Sequence, residues 1–135
     1  MTLVVDASVV VAALVDDGPH GRWADALLSE HALAAPHLLP VEAASVLRRA
    51  SWAGTLTTDT ATLAHFDLLD LRVELFPYEP FAERVWDLRT TVTSYDAWHV
   101  ALAEQLAAPF ATLDRRLARA PGPRCAFVVP AQDGG

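Results

Sequence analysis

The segment TLVVDASVVVAALV, residues 2 to 15, carries the most informative pattern in the chain. Its first part, Thr2 to Asp6, is a short run of mainly β-branched residues, which is typical of a buried strand. The whole apolar run is too long for one strand, so we expect a helix from Ser8 to Leu14. The segment therefore predicts a strand that leads directly into a helix, with the acidic residue Asp6 at the junction.

The rest of the chain repeats this alternation of strands and helices. Further helices are expected over residues 21–33, 40–53, 57–71 and 95–106, with others beginning at Pro80 and at Asp114. Further strands are expected over residues 34–35, 73–76, 110–112 and 126–129. Such alternation predicts an α/β fold in which a mostly parallel sheet has helices on both faces.

A few residues mark the expected boundaries of these elements. Pro36 is expected to end the second strand, and Gly54 to stop the helix that contains Pro40 in its first turn. Ser94 is expected to cap the helix over residues 95–106. We expect one domain with a single core over residues 1–130, followed by a flexible tail, residues 131–135.

The composition excludes several classes of protein. The formal net charge is −7, which argues against a generally basic, nucleic-acid-binding surface. All ten basic side chains are Arg. The absence of Lys excludes a P-loop, and it argues against phosphotransfer folds that place a Lys beside the Asp of the first strand. If phosphate is the target, metal ions and nearby Arg side chains must offset the acidic charge.

The cellular location can also be predicted from the sequence. A single cysteine, Cys125, cannot form an internal disulfide, which fits a reducing cytoplasm. The apolar run that ends at Val15 is short and contains Asp6, so it is neither a signal peptide nor a membrane span. Hydrophobic residues make up 53% of the chain, enough for a sound core and for some apolar surface that could meet a protein partner.

Four acidic residues occupy equivalent positions, at strand ends or in the first turns of helices. They are Asp6, Glu42, Asp96 and Asp114. Each one alone could cap a helix or oppose its dipole. However, Asp6 and Asp96 have apolar neighbours and should lie near the core, where a carboxylate needs a partner. Because the carboxyl ends of parallel strands share one edge of a sheet, all four side chains can converge there.

A cluster of carboxylates predicts a divalent metal site. Several carboxylates do not stay ionised side by side without a cation, and hard oxygen ligands select Mg²⁺ or Mn²⁺. Such ions activate water and stabilise a phosphoryl transition state. The five His residues are scattered, which argues against zinc. His99 lies one turn from Asp96 and could reach a metal, although a helix-surface or substrate-side position is favoured. Ser8 is expected to cap a helix or to hydrogen-bond the site.

Four motifs, in the right order, resemble a known family. They are VVDAS (4–8), PHLLPVEAASVLRR (36–49), YDAWHVALAE (95–104) and ATLDRRL (111–117). On these motifs the chain resembles the PIN-domain ribonucleases, in particular the VapC toxins of prokaryotic toxin–antitoxin pairs. The resemblance implies a PIN-like three-layer α/β/α sandwich with a central five-stranded sheet. Trp98 and His99 stand where smaller or more apolar residues are expected.

The resemblance also implies an activity and partners. The expected activity is Mg²⁺- or Mn²⁺-dependent cleavage of RNA by a metal-activated water. The metal ligands are expected to be Asp6, Glu42, Asp96 and Asp114, supported by Ser8 and Thr112. The expected partners are a second copy in a homodimer and a cognate antitoxin that inserts a segment into the active-site groove.

The arginines and two competing functions complete the sequence-based hypotheses. Arg115, Arg116 and Arg49 are candidates to hold the RNA backbone, with Arg115 favoured because it directly follows Asp114. One alternative function is a PIN-like adaptor that binds RNA or protein without catalysis, although it would not need four carboxylates. The other is a phosphatase or DNA nuclease that uses the same acids and metal.

Overall fold

A five-stranded, all-parallel sheet forms the middle of the protein. The computed structural model describes residues 1–132, so residues 133–135 of the predicted tail lie outside the described part. The strands are β1 (Thr2–Val5), β2 (Ala32–Pro36), β3 (Val73–Phe76), β4 (Phe110–Ala111) and β5 (Phe127–Val128). Their order across the sheet is β3-β2-β1-β4-β5, and every neighbouring pair is parallel.

Seven α-helices within residues 1–132 cover this sheet. They are α1 (Ala7–Val15), α2 (Pro19–Glu30), α3 (Leu39–Trp52), α4 (Thr58–Asp70), α5 (Ala82–Asp87), α6 (Ser94–Leu106) and α7 (Arg115–Ala118). A 3-10 turn, Glu79–Phe81, precedes α5. In this part of the chain no helix has the length and apolar character needed to cross a membrane.

The alternation of side chains along the central strand β1 separates two cores. Leu3 and Val5 are buried in one cluster together with residues of α1, α2, α3 and α4. Val4 points to the opposite face, where it is buried with residues of α5 and α6. Both faces of the sheet are therefore covered by helices, and the predicted three-layer α/β/α fold is confirmed.

The boundary between α2 and β2 differs from the sequence-based prediction. The helix ends at Glu30 rather than continuing to Leu33, and Leu33 belongs to a strand that starts at Ala32. Ala and Leu favour a helix locally, but pairing with β1 on one side and β3 on the other fixes an extended backbone. The strand also includes Pro36, so the prediction that it ends before this residue was wrong. Pairing extends to the next residue, where the His37 N–H donates to the Phe76 carbonyl at 2.9 Å.

The start of α6 also differs from the prediction. Thr93, not Ser94, is the N-cap, and its hydroxyl accepts a hydrogen bond from the Asp96 N–H. Ser94 is instead the first helical residue. The prediction for the end of α3 is confirmed, because Gly54 has φ +78°, a backbone conformation that favours glycine and stops a helix.

An ion pair on the α5–α6 side connects three parts of the chain. Arg84 on α5 donates through Nε to Oε1 of Glu104 on α6 at 2.8 Å, and through a terminal nitrogen to Oε2 at 3.1 Å. The same guanidinium donates to the Gly122 carbonyl, and the Arg124 N–H donates to Glu104. The segment that leads into β5 is thus anchored by charge-assisted hydrogen bonds.

The topology brings the starts of four helices to one edge of the sheet. Asp6 follows β1, Glu42 lies in the first turn of α3 behind β2, and Asp114 follows β4. Helix α6 leads into β4 and therefore runs against the strand direction, so its first turn, with Asp96, lies at the same edge. In an open parallel sheet this carboxyl edge is where ligands bind.

Candidate active site

Asp6 is held in place by two hydroxyl groups and one backbone amide. Ser8 Oγ donates to Asp6 Oδ1 at 2.5 Å, and Thr112 Oγ1 donates to Asp6 Oδ2 at 2.5 Å. The Val9 N–H also donates to Oδ1 at 3.2 Å, which makes Asp6 the N-cap of α1. Both oxygens are occupied by donors from different elements, so the orientation of the carboxylate is fixed by the junction of β1, α1 and β4.

The two hydroxyl groups extend this network towards Asp114. Thr112 Oγ1 accepts from the Asp114 N–H at 3.0 Å, and Ser8 Oγ accepts from the Leu113 N–H at 3.2 Å. Asp114 caps α7, because its Oδ1 accepts from the N–H groups of Arg116 and Leu117 at 3.0 and 3.1 Å. Thr112 is completely buried, and its hydroxyl links one predicted metal ligand to the backbone of another.

Asp96 has no capping role, because Thr93 fills that position. Burial raises the pKa of Asp96 above its ordinary value, and the negative charges of Asp6 and Asp114 raise it further. His99 and the Thr93 hydroxyl act in the opposite direction. The helix-cap explanation that applies to Asp6 and Asp114 therefore does not account for Asp96.

Glu42 belongs to the same electrostatic neighbourhood. Burial raises its pKa, the charges of Asp96 and Asp6 raise it further, and His99 opposes them. The negative charge of Asp6 raises the pKa of both Glu42 and Asp96. The negative charge of Asp114 raises the pKa of Asp96. The structure thus brings the four acids predicted from the sequence together at the carboxyl edge of the sheet.

The donor set can be compared with the needs of a metal ion. Within residues 1–132, no group of three or more His, Cys, Asp or Glu side chains is placed so that it could hold a metal ion together. All four acids offer oxygen, which fits Mg²⁺ or Mn²⁺. A divalent cation would also relieve the repulsion that raises the pKa values of Glu42 and Asp96.

His99 lies in the core behind this site rather than on the helix surface. It is 2% exposed, and its ring stacks on Phe110 with the ring centroids 5.3 Å apart. Its Nδ1 donates to the Tyr95 carbonyl at 2.8 Å, while Nε2 has no hydrogen-bond partner among the described residues. The sequence favoured a position for His99 on the helix surface or beside the substrate. The surface position was wrong, because His99 packs against Phe110 of β4. His99 affects the pKa of both Glu42 and Asp96, a relation that sequence spacing indicated only for Asp96.

The three candidate arginines are not equivalent. Arg49 lines a depression of about 330 Å³ together with Glu42 and Tyr95. Arg115 already has a partner in the protein, since its guanidinium donates to the Pro130 carbonyl. Arg116 is exposed on α7. Of the three, Arg49 shares a concave surface with an acid of the cluster, although the sequence favoured Arg115.

Comparison with known proteins identifies the family. A family model described as PIN domain matches residues 3–123, so the chain belongs to the PIN-domain family. Ribonuclease VapC1 of Mycobacterium tuberculosis is 42% identical over 123 residues, which cover 90% of this chain and 92% of that relative. The family resemblance predicted from the four motifs is confirmed.

Solved structures support the same fold. PAE2754 from Pyrobaculum aerophilum has a TM-score of 0.70 and 23% identity, covering 94% of this chain and 83% of that chain. VapBC-5 from Mycobacterium tuberculosis, a member of the VapBC family of toxin–antitoxin systems, has a TM-score of 0.56 and 22% identity. The latter match covers 95% of this chain and 96% of that chain.

Proposed function

We propose that this protein is a metal-dependent endoribonuclease and the toxin of a type II toxin–antitoxin pair. The observation that carries the proposal is the set of four carboxylates at the carboxyl edge of the sheet, where burial and, less strongly, neighbouring acids raise the pKa of Glu42 and Asp96. The name of the 42% identical relative, Ribonuclease VapC1, supports RNA as the substrate. The structural likeness to a toxin–antitoxin system supports the biological role.

Each residue of the proposed site has a separate task. Asp6, Glu42, Asp96 and Asp114 hold the metal, and Ser8 and Thr112 fix the direction of Asp6. Bound Mg²⁺ or Mn²⁺ supplies an activated water and offsets the charge of the phosphodiester. Arg49, which lines the same depression as Glu42, is placed to hold a phosphate by paired hydrogen bonds. Arg115 and Arg116 are weaker candidates for this contact.

The experiment that tests the proposal compares nucleic acids and metals. The purified chain is incubated with labelled RNA and with labelled DNA of the same sequence, each in Mg²⁺, in Mn²⁺ and in EDTA. We expect RNA to be cut in either metal and left intact in EDTA, because the oxygen ligands of the site suit both ions and a bound ion would be needed to activate the water. Cleavage at full rate in EDTA would contradict the mechanism. Cleavage of DNA alone would assign the same acids to a DNA nuclease.

The proposed partners are a second copy of the chain and a cognate antitoxin, all in the cytoplasm. Several large apolar side chains around α3 and α4 are exposed, among them Val41 at 61%, Trp52 at 83% and Phe66 at 60%. Exposed apolar surface of this kind marks protein-binding regions. We expect the antitoxin to insert a segment that carries Arg or Lys opposite the four acids. Sedimentation should detect a dimer of the free chain, and a monomer at every concentration would contradict that part.

A further inference from the structure

A pocket with aromatic walls lies beside the acid cluster and has no role in the site described above. Its volume is about 380 Å³, within the roughly 300–1,000 Å³ range of small-molecule pockets. Its walls come from the segment between β2 and α3, the segment after β3 and the first turns of α6. The lining residues are His37, Leu38, Tyr78, Ser94, Tyr95 and Trp98.

The pocket adjoins the depression that contains Glu42 and Arg49. Leu38 and Tyr95 line both concavities, so these two side chains form the wall between them. Tyr95 also directly precedes Asp96 in the first turn of α6. A strand held at the acids can therefore continue into the aromatic pocket past these two side chains.

The two concavities match the two halves of a nucleotide. The depression with Glu42 and Arg49 has the charged groups that a metal-bound phosphate requires. The neighbouring pocket is lined mainly by aromatic and aliphatic side chains, which suit the flat, apolar face of a base. We propose that this pocket takes one unpaired nucleobase of the RNA strand, next to the phosphate held at the acid cluster. The inference rests on the proposed function, because it assumes that the acids hold RNA.

Tyr95 is the residue most able to stack on that base. It is 57% exposed, whereas Tyr78 is 38% exposed and Trp98 is only 7% exposed. Tyr78 packs edge-on against Trp98, with ring centroids 5.3 Å apart and an interplanar angle of 86°, so its ring is held by this contact. The Tyr95 backbone is anchored by the hydrogen bond from His99, so its position does not depend on the phenol ring.

Base pairing keeps a base away from such a pocket. A paired base is stacked inside the duplex, and proteins read RNA sequence mainly in single-stranded loops, bulges and ends. The pocket therefore requires that the nucleotide next to the bound phosphate be unpaired. Stacking on an aromatic face is tolerant of sequence, so this subsite selects unpaired structure more than a particular base.

The test measures binding separately from cleavage. Short single-stranded oligoadenylate and oligouridylate are compared with an oligomer of equal length that has tetrahydrofuran spacers in place of bases, all in EDTA. The three probes carry the same phosphates, so repulsion from the acids cancels in the comparison. We expect the parent chain to bind the two base-containing probes more tightly than the spacer probe, by about 5- to 150-fold for one stacked base.

Variants of Tyr95 test whether the preference for base-containing probes depends on its aromatic ring. Tyr95→Ala should lose it, and Tyr95→Phe, which keeps an aromatic face, should retain it. Trp86→Ala is the control, since Trp86 is an aromatic residue of similar exposure, 64%, on α5 outside the pocket walls. Equal binding of all three probes by the parent would overturn the proposal, and so would a Tyr95→Ala variant that keeps the preference or an equal loss in Trp86→Ala.

Cleavage assays distinguish this inference from the proposed function. In Mg²⁺, Tyr95→Ala should raise KM for single-stranded RNA, with kcat changing less. If the parent cuts RNA but shows no preference for probes with bases, the pocket inference fails and the nuclease stands. If the parent cuts no RNA yet binds bases through Tyr95, the nuclease fails and the pocket stands as a nucleic-acid-binding site.

Discussion

Replacement of Asp96 by Asn is expected to reduce RNA cleavage by about 100-fold or more. Loss of a residue that hydrogen-bonds a metal ligand typically lowers metal affinity or activity by about 10- to 100-fold. Loss of a direct ligand should lower activity at least as much. The substitution preserves the shape of the side chain, and Thr93 rather than Asp96 caps α6, so the fold should remain intact. Initial cleavage rates in saturating Mg²⁺, together with circular dichroism, measure both effects.

Asp25→Asn is the matched control for this experiment. It makes the same chemical change on an exposed face of α2, outside the candidate site. We expect it to cleave RNA as the parent does. Equal cleavage by Asp96→Asn and Asp25→Asn would show that Asp96 has no part in the reaction.

Thermal melting tests Asp96 without any assay for RNA. Burial, reinforced by the charges of Asp6 and Asp114, raises the folded-state pKa of Asp96. The native state therefore keeps a proton that the unfolded chain releases. The resulting stability is present below the unfolded pKa and is lost as the pH rises through the folded pKa. At neutral pH in EDTA, Asp96→Asn should melt at or above the parent, because it removes one repelling charge.

Added Mg²⁺ should raise the melting temperature of the parent relative to that of Asp96→Asn. A ligand that binds only the folded state raises the melting temperature with its concentration, and the parent should gain more than Asp96→Asn. A variant that is destabilised equally in EDTA and in Mg²⁺ would make Asp96 a purely structural residue.

The second large effect is expected for Thr112→Val. Valine has nearly the shape of threonine, but it removes the donor to Asp6 and the acceptor for the Asp114 N–H in a fully buried position. Loss of these hydrogen bonds should lower the free energy of unfolding by about 1–3 kcal/mol. Cleavage should fall by about 10- to 100-fold, because Asp6 is no longer held in one orientation. Urea unfolding and initial rates measure the two losses.

Two further variants isolate the role of the Thr112 hydroxyl. Thr112→Ser keeps the hydroxyl and should recover most of the cleavage. Thr62→Val makes the same change on the exposed surface of α4, where the hydroxyl donates only within its own helix, to the Thr58 carbonyl. It should leave the rate unchanged. If Thr112→Val cleaves like the parent, the hydrogen bond to Asp6 has no catalytic consequence.

The sequence predicted the sheet and the four acids because both depend on local patterns. Apolar β-branched runs followed by helical periods define the strand–helix units, and parallel connections bring the carboxyl ends of the strands together. Asp6, Glu42, Asp96 and Asp114 could therefore be placed at one edge before any coordinates were known. The expectation that crowded carboxylates resist ionisation follows from the same placement, and the pKa values of Glu42 and Asp96 are raised by burial and by neighbouring acids.

The features that the sequence did not predict depend on contacts between distant segments. Leu33 has a helical local pattern, but its backbone pairs with Leu3 and Val73 on neighbouring strands. His99 is buried because Phe110, from another element, lies against its ring. Arg115 follows Asp114 in sequence, yet its side chain is held by the Pro130 carbonyl. Periodicity along one segment carries no information about such partners.

The different capping roles of the four acids have a consequence for sequence divergence. Asp6 and Asp114 are the N-caps of α1 and α7. Asp96 and Glu42 cap no helix, since Thr93 caps α6 and α3 has no side-chain cap. In descendants released from selection for cleavage, mutations at Asp96 and Glu42 would cost the fold little. Mutations at Asp6 and Asp114 would also expose helix ends and would be removed by selection for folding. Degenerate copies should therefore keep half of the acid cluster long after the reaction itself has been lost.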